Sequence, residues 1–237
     1  KPAAAIPGIV RDYESIPMVE VDITDAAQLV ALQRNPYVEA VYPMPTLTND
    51  DVTLVDTETT TQSVSRVNST PVTAASSASL IGASVLQVGG HTGLGTAVAI
   101  IDDFSPNPAL CPPNCTPQMS AHAVNVSGIA RAVAPGASIL LYGYREAVLP
   151  NGTYYGGIVS AVNDIVSQRQ AHHNVVAVDL SVTQLLSSYS PAQCASDTLW
   201  VDNVVTPLHR AGISVVAPAG DGSHSGTMAK PGCVPGV

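Results

Sequence analysis

The feature that most constrains this chain is an alternation that begins at Thr96. Ala97-Val98-Ala99-Ile100-Ile101 is a continuous apolar run of strand length, as a strand buried on both faces requires. A Pro-rich loop follows, then a helical stretch over residues 121–131, broken by Ala134-Pro135-Gly136. Further strands are expected at 138–142, 174–180 and 213–217, with helices at 154–170 and 195–210 between them. Strands alternating with helices predict an α/β fold with a parallel, doubly wound sheet. In such a sheet the functional residues lie at the carboxyl ends of the strands.

The chain ahead of this pattern reads differently. Residues 1–46 form a small α+β unit. Ile16-Pro17-Met18-Val19-Glu20-Val21-Asp22-Ile23 predicts a half-buried strand. Thr24 or Asp25 caps a short helix through Gln33, which Asn35-Pro36 stops. Val38-Glu39-Ala40-Val41-Tyr42 alternates again and predicts a second strand. Residues 47–80 are rich in Thr, Ser, Asn and Asp and read as a linker or extended segment. Residues 81–237 form the main domain.

Composition narrows the function classes. With 46% hydrophobic and 11% charged residues, the chain is too apolar to be intrinsically disordered. No run of eighteen apolar residues occurs, so no transmembrane helix is expected. Nine Lys and Arg against 18 Asp and Glu give a net charge of −9. Nucleic acid and anionic membranes are therefore poor partners, because phosphate contacts dominate affinity for both. The even cysteine count fits two disulfides and an oxidising compartment, so the protein is expected to be secreted, extracellular or periplasmic. The expected pairs are Cys194 with Cys233 and Cys111 with Cys115. Zinc is the alternative, but no second close Cys/His pair sits at ligand spacing. Lys1-Pro2-Ala3 reads as a processed start.

At the predicted strand ends stand Asp102 and Asp103, then His122 twenty residues on at a helix start. Asp221 follows Ala219-Gly220 after the last strand. Singly, each also reads as a cap, a turn residue or a satisfied core histidine. An acid and a histidine at one sheet edge are also how nucleophilic hydrolases orient an imidazole.

In order, these segments resemble the subtilisin-like serine proteases. Gly93-Leu94-Gly95-Thr96 through Ile101-Asp102 resembles the approach to the family's catalytic aspartate. His122-Ala123-Val124-Asn125-Val126-Ser127-Gly128-Ile129, with Val133-Ala134-Pro135-Gly136-Ala137 beyond it, resembles the catalytic-histidine helix and the strand that follows. Asp179-Leu180-Ser181-Val182 resembles the substrate-lining strand. Ala211-Gly212-Ile213 through Ala219-Gly220-Asp221 resembles the strand ending in the oxyanion-hole asparagine. Residues 16–46 resemble the inhibitor-type pro-segment.

The resemblance implies peptide-bond hydrolysis through an acyl-enzyme. Asp102 would orient His122, and His122 would serve as general base and then acid. Asp221 would stand at the oxyanion position, and the backbone at Ser181, Val182, Thr183, Ala219 and Gly220 would line the cleft. The implied partners are a peptide or protein substrate and the chain's own pro-segment, with residues 43–47 directed toward the cleft. Calcium is frequent in the family, but no acidic cluster marks a site for it, and no other cofactor is implied.

The chain also departs from the family. Asp102 is followed by Asp103-Phe104 rather than Ser/Thr-Gly, His122 by Ala123-Val124-Asn125 rather than Gly-Thr-His, and Asp221 replaces asparagine. The Gly-Thr-Ser-Met-Ala run with the nucleophilic serine is absent. Ser225-Gly226-Thr227-Met228-Ala229 follows Asp221 too closely and lacks the serine between Thr and Met. The serine is therefore expected on a C-terminal companion fragment. The competing expectation is a degenerate relative that serves as a binding or scaffold module.

Overall fold

The computed structural model describes residues 6–43, 78–105, 118–144, 155–171, 174–183, 189–220 and 227–237. The chain opens with a hairpin of β1 (Ile9–Tyr13) and β2 (Met18–Val21), followed by α1 (Ala26–Gln33). Asp25 is the cap, accepting from the Gln28 amide. The predicted strand at 38–42 does not form. Its alternation is genuine, but β2 pairs with β1 across a short turn instead, and a sequence-local hairpin needs little loop closure. Ile9-Val10-Arg11-Asp12-Tyr13 hides this strand because its polar residues do not alternate.

After α2 (Ala83–Val88) come β3 (Ala97–Asp102), the short pair β4 (Phe104–Ser105) and β5 (Gln118–Met119), α3 (Ala121–Val133) and β6 (Ser138–Gly143). Next are α4 (Tyr155–Gln170) and β7 (Val175–Leu180). Then follow α5 (Pro191–Ala195), α6 (Thr198–Trp200), a π-helical turn (Val201–Val205), α7 (Thr206–Arg210) and β8 (Ser214–Val216). The helix expected over 195–210 is thus interrupted. Ser196-Asp197 restarts it, with Asp197 accepting from the Trp200 amide. Pro207 has no N–H to give the turn before it, and the π-helical turn lies just upstream.

The main sheet has four strands, all parallel, in the order β6-β3-β7-β8. Alternate residues of β3 serve opposite faces. Ala97, Ala99 and Ile101 join the larger core with α4, Trp200 and Leu208, whereas Ile100 joins Phe104 and Ala123 beneath α3. Helices therefore cover both faces, as the apolar run of β3 demands. The chain leaves β3 for β6 on one side, then crosses to β7 and β8 on the other. Right-handed crossovers send α3 to one face and α4 to the opposite one. The connections after β3 and β7 thus part, which makes the carboxyl ends of these two strands the switch point where doubly wound sheets place their sites.

Residues 6–43 dock on α4. Tyr13 and Ile16 are buried in the larger core. Arg11 donates from Nη1 to Ser160 Oγ (2.6 Å), and the Ser15 amide donates to Asn163 Oδ1 (2.8 Å). Farther along, the Tyr42 hydroxyl bonds Asp202 in the π-helical turn. Burying Tyr13 and Ile16 contributes about 1.5–3 kcal/mol each.

Candidate active site

Asp102 is the last residue of β3 and is wholly buried. The β4–β5 ribbon folds the chain back, with Phe104 paired to Met119 and the Ser120 amide donating to the Asp103 carbonyl. Ser120 then caps α3 by accepting from the Ala123 amide at 3.0 Å. This return brings His122, in the first turn of α3, over the end of β3. Its Nδ1 lies 2.9 Å from Asp102 Oδ2 and 3.1 Å from Oδ1.

The Asp102 carboxyl also accepts from the Asp103 amide at 2.6 Å. Burial pushes its pKa up, and the Asp103 amide and His122 oppose that rise. An ionised carboxylate only accepts, so its contact with Nδ1 places the ring proton there. Nε2 is left with its lone pair. A fifth of the His122 side chain remains exposed, so the ring has an open side. The arrangement can take a proton from an incoming hydroxyl or water and hold the resulting imidazolium against a buried anion.

A residue that sequence reasoning passed over completes the cluster. Asp179 pairs in register with Ile100, and the Ser181 amide donates to the Ile101 carbonyl. Asp179 and Ser181 therefore share the sheet face of Ile100 and Asp102. Ser181 Oγ donates to Asp179 Oδ2 at 2.6 Å. The Asp179 pKa is raised chiefly by burial; Ser181 and His122 oppose this and the charge on Asp102 adds to it. It is the register of β7 on β3 that brings Asp179 to this face, and no local run of sequence carries that register.

Of the residues expected to line a cleft, Val182 and Thr183 have buried side chains, and Val182 packs in the larger core. Any contact they make with a peptide falls to their backbone. The Ala219 carbonyl accepts from the Ala229 amide, and Gly220 has φ +87° and lies close against Ala229. Asp221, Ser225, Cys111 and Cys115 lie outside the described residues, as do 44–47. Cys194 and Cys233 form a disulfide with Cα atoms 5.5 Å apart. A cavity of about 440 Å³ beside it is lined by Tyr189, Cys194, Met228 and Pro235 among others, and includes neither Asp102 nor His122.

Among the described residues no group of three His, Cys, Asp or Glu side chains is placed to hold a metal ion. Among them, too, no helix is long and apolar enough to cross a membrane. No protein-family model matches the chain, and a search of curated proteins gives no match.

Proposed function

We propose that the chain is the acid–base half of a subtilisin-type serine endopeptidase, joined to its pro-segment. The observation that carries this reading is the buried Asp102 paired with Nδ1 of a partly open His122 at the parting of β3 and β7. His122 deprotonates a serine supplied from beyond this chain, then protonates the leaving amine, while Asp102 fixes the ring and balances its charge. The docking of residues 6–43 on α4 supports their reading as a pro-segment. The Cys194–Cys233 bridge supports an oxidising, extracytoplasmic location.

The test is peptidase activity of the complete encoded protein on a denatured protein substrate, with Asp102→Asn and His122→Ala beside it. Asp102→Asn should lower kcat roughly 10⁴-fold, by presenting the wrong tautomer. Activity that survives both substitutions would refute the assignment. The second reading, a non-catalytic binding module, draws on Phe104, two residues after Asp102, and Ala123, next after His122, both apolar core residues. It predicts no turnover and no serine labelled by a phosphonate probe.

A further inference from the structure

We propose that the cavity beside the Cys194–Cys233 bridge is a binding site for an uncharged, apolar small molecule of about two fused aromatic rings. The site is separate from the endopeptidase reading: none of Ser181, Val182, Thr183, Ala219 and Gly220 lines it. Its place follows from the chain around it. Ala229, next after the lining residue Met228, donates its amide to the Ala219 carbonyl just beyond β8. The cavity therefore sits at the carboxyl edge of the sheet, on the β8 side.

Its size and its braced walls mark it as a built space. Protein interiors hold few voids larger than a water molecule. At about 440 Å³ this one falls within the roughly 300–1,000 Å³ of small-molecule sites. A cavity of about 150 Å³ takes up one benzene, so two fused rings with a small substituent fit here. The walls are the chain at 189–195 and the chain at 227–235, and several contacts tie them together. Tyr189 and Met228 exchange both backbone hydrogen bonds, at 2.9 and 3.2 Å. Cys194 and Cys233 are covalently joined. Lys230 pairs with Asp197, and its ammonium lies 4.1 Å from the centroid of the Tyr189 ring. Walls so tied resist closing on the space, and a preformed site spares the ligand the cost of ordering it.

The lining sets the chemistry. Among the described lining residues there is no Asp, Glu, Lys, Arg or His, so a charged ligand would give up its water without gaining a counter-charge. The ammonium of Lys230 is already committed to Asp197. Met228 is 39% exposed, and its unbranched thioether side chain adapts to the shape of a ligand. Tyr189 and Thr227 carry the hydroxyls of the described lining, the kind of sparse polar group that orients a ligand in an apolar pocket.

The experiment is a fluorescence titration of this chain, disulfide intact, with N-phenylnaphthylamine, a neutral probe dim in water and bright in apolar surroundings. Fluorescence should saturate at one equivalent. Ala195→Trp fills the cavity from the exposed end of α5 and should abolish that saturating phase. Probe held instead by exposed apolar residues of α2, such as Val85 and Val88, survives this substitution, so an unchanged titration in the folded variant overturns the proposal. Should the variant not fold, the parent decides: the Met228 methyl group should show NOE contacts to the bound probe, and their absence overturns the site. Competitors test the ligand class. Naphthalene should displace the probe, and naphthalenesulfonate should not; stronger displacement by the sulfonate overturns the uncharged assignment. Stronger displacement by a capped phenylalanine peptide than by naphthalene overturns the small-molecule assignment and makes the cavity a seat for a peptide side chain. None of these measurements needs turnover, so the site and the endopeptidase reading stand or fall separately.

Discussion

Asp102 is wholly buried and Asp179 half-buried, and each has its pKa raised from the ordinary 3.8, with burial the leading cause. The folded state thus binds their protons more tightly than the unfolded chain does. Their contribution to stability is complete below the ordinary aspartate value and is lost as pH rises through the folded-state values. Urea unfolding from about pH 3 to about pH 7 should therefore show a smaller loss of stability with rising pH in Asp179→Asn than in the parent. Parallel curves would mean that Asp179 is solvated in the folded protein. Asp102 was legible in the sequence because it ends an unbroken apolar run, and His122 because it opens a helix after a loop. Asp179 was not, since its environment is made by β3, a strand some eighty residues earlier, and strand register is invisible along a single run.

At the scale of elements, the contact between α4 and the end of β6 depends on one missing methyl group. A Cβ at Gly157 would stand 1.9 Å from the Tyr144 carbonyl oxygen. In an open helix Gly→Ala stabilises by roughly 0.5–1 kcal/mol. Here Gly157→Ala should destabilise instead, by more than about 2 kcal/mol as overpacking against rigid backbone, read as a lowered thermal midpoint. The link between α5 and the chain beyond β8 is covalent. Cys194 and Cys233 are 39 residues apart, and removing both with Cys→Ser substitutions should cost about 4 kcal/mol in the chain-entropy description. Chemical denaturation of the double variant checks it. The parallel strands were readable because they are continuously apolar. The β1 strand was not, because Arg11 takes an inward position between Ile9 and Tyr13, where it reaches Ser160 on α4, so a charge stands where alternation leads one to look for an apolar residue. The break at Ser196-Asp197 was readable only as a cap competing with a helix that Pro207 had already weakened.

For the whole molecule, the decisive arrangement is that residues 6–43 and the main sheet share one core. Tyr13 and Ile16 lie within the same buried cluster as α4 and Trp200. Ile16→Ala should cost about 2–5 kcal/mol and speed amide hydrogen exchange in β1 and β2 more than in β3. Equal acceleration everywhere would show that the hairpin and the sheet open as a single unit. The hydrogen bonds from Arg11 and Ser15 span 149 and 148 positions of sequence, so the hairpin is in effect a ligand tethered to its own receptor. A tethered ligand meets its site at an effective concentration fixed by the chain, commonly in the millimolar range, and dilution does not remove it. Cutting the chain between residue 43 and residue 78 would abolish that tether while leaving every contact on α4 in place. Occupancy would then follow mass action, and the hairpin would leave its seat as the solution is diluted, with no contact having been altered.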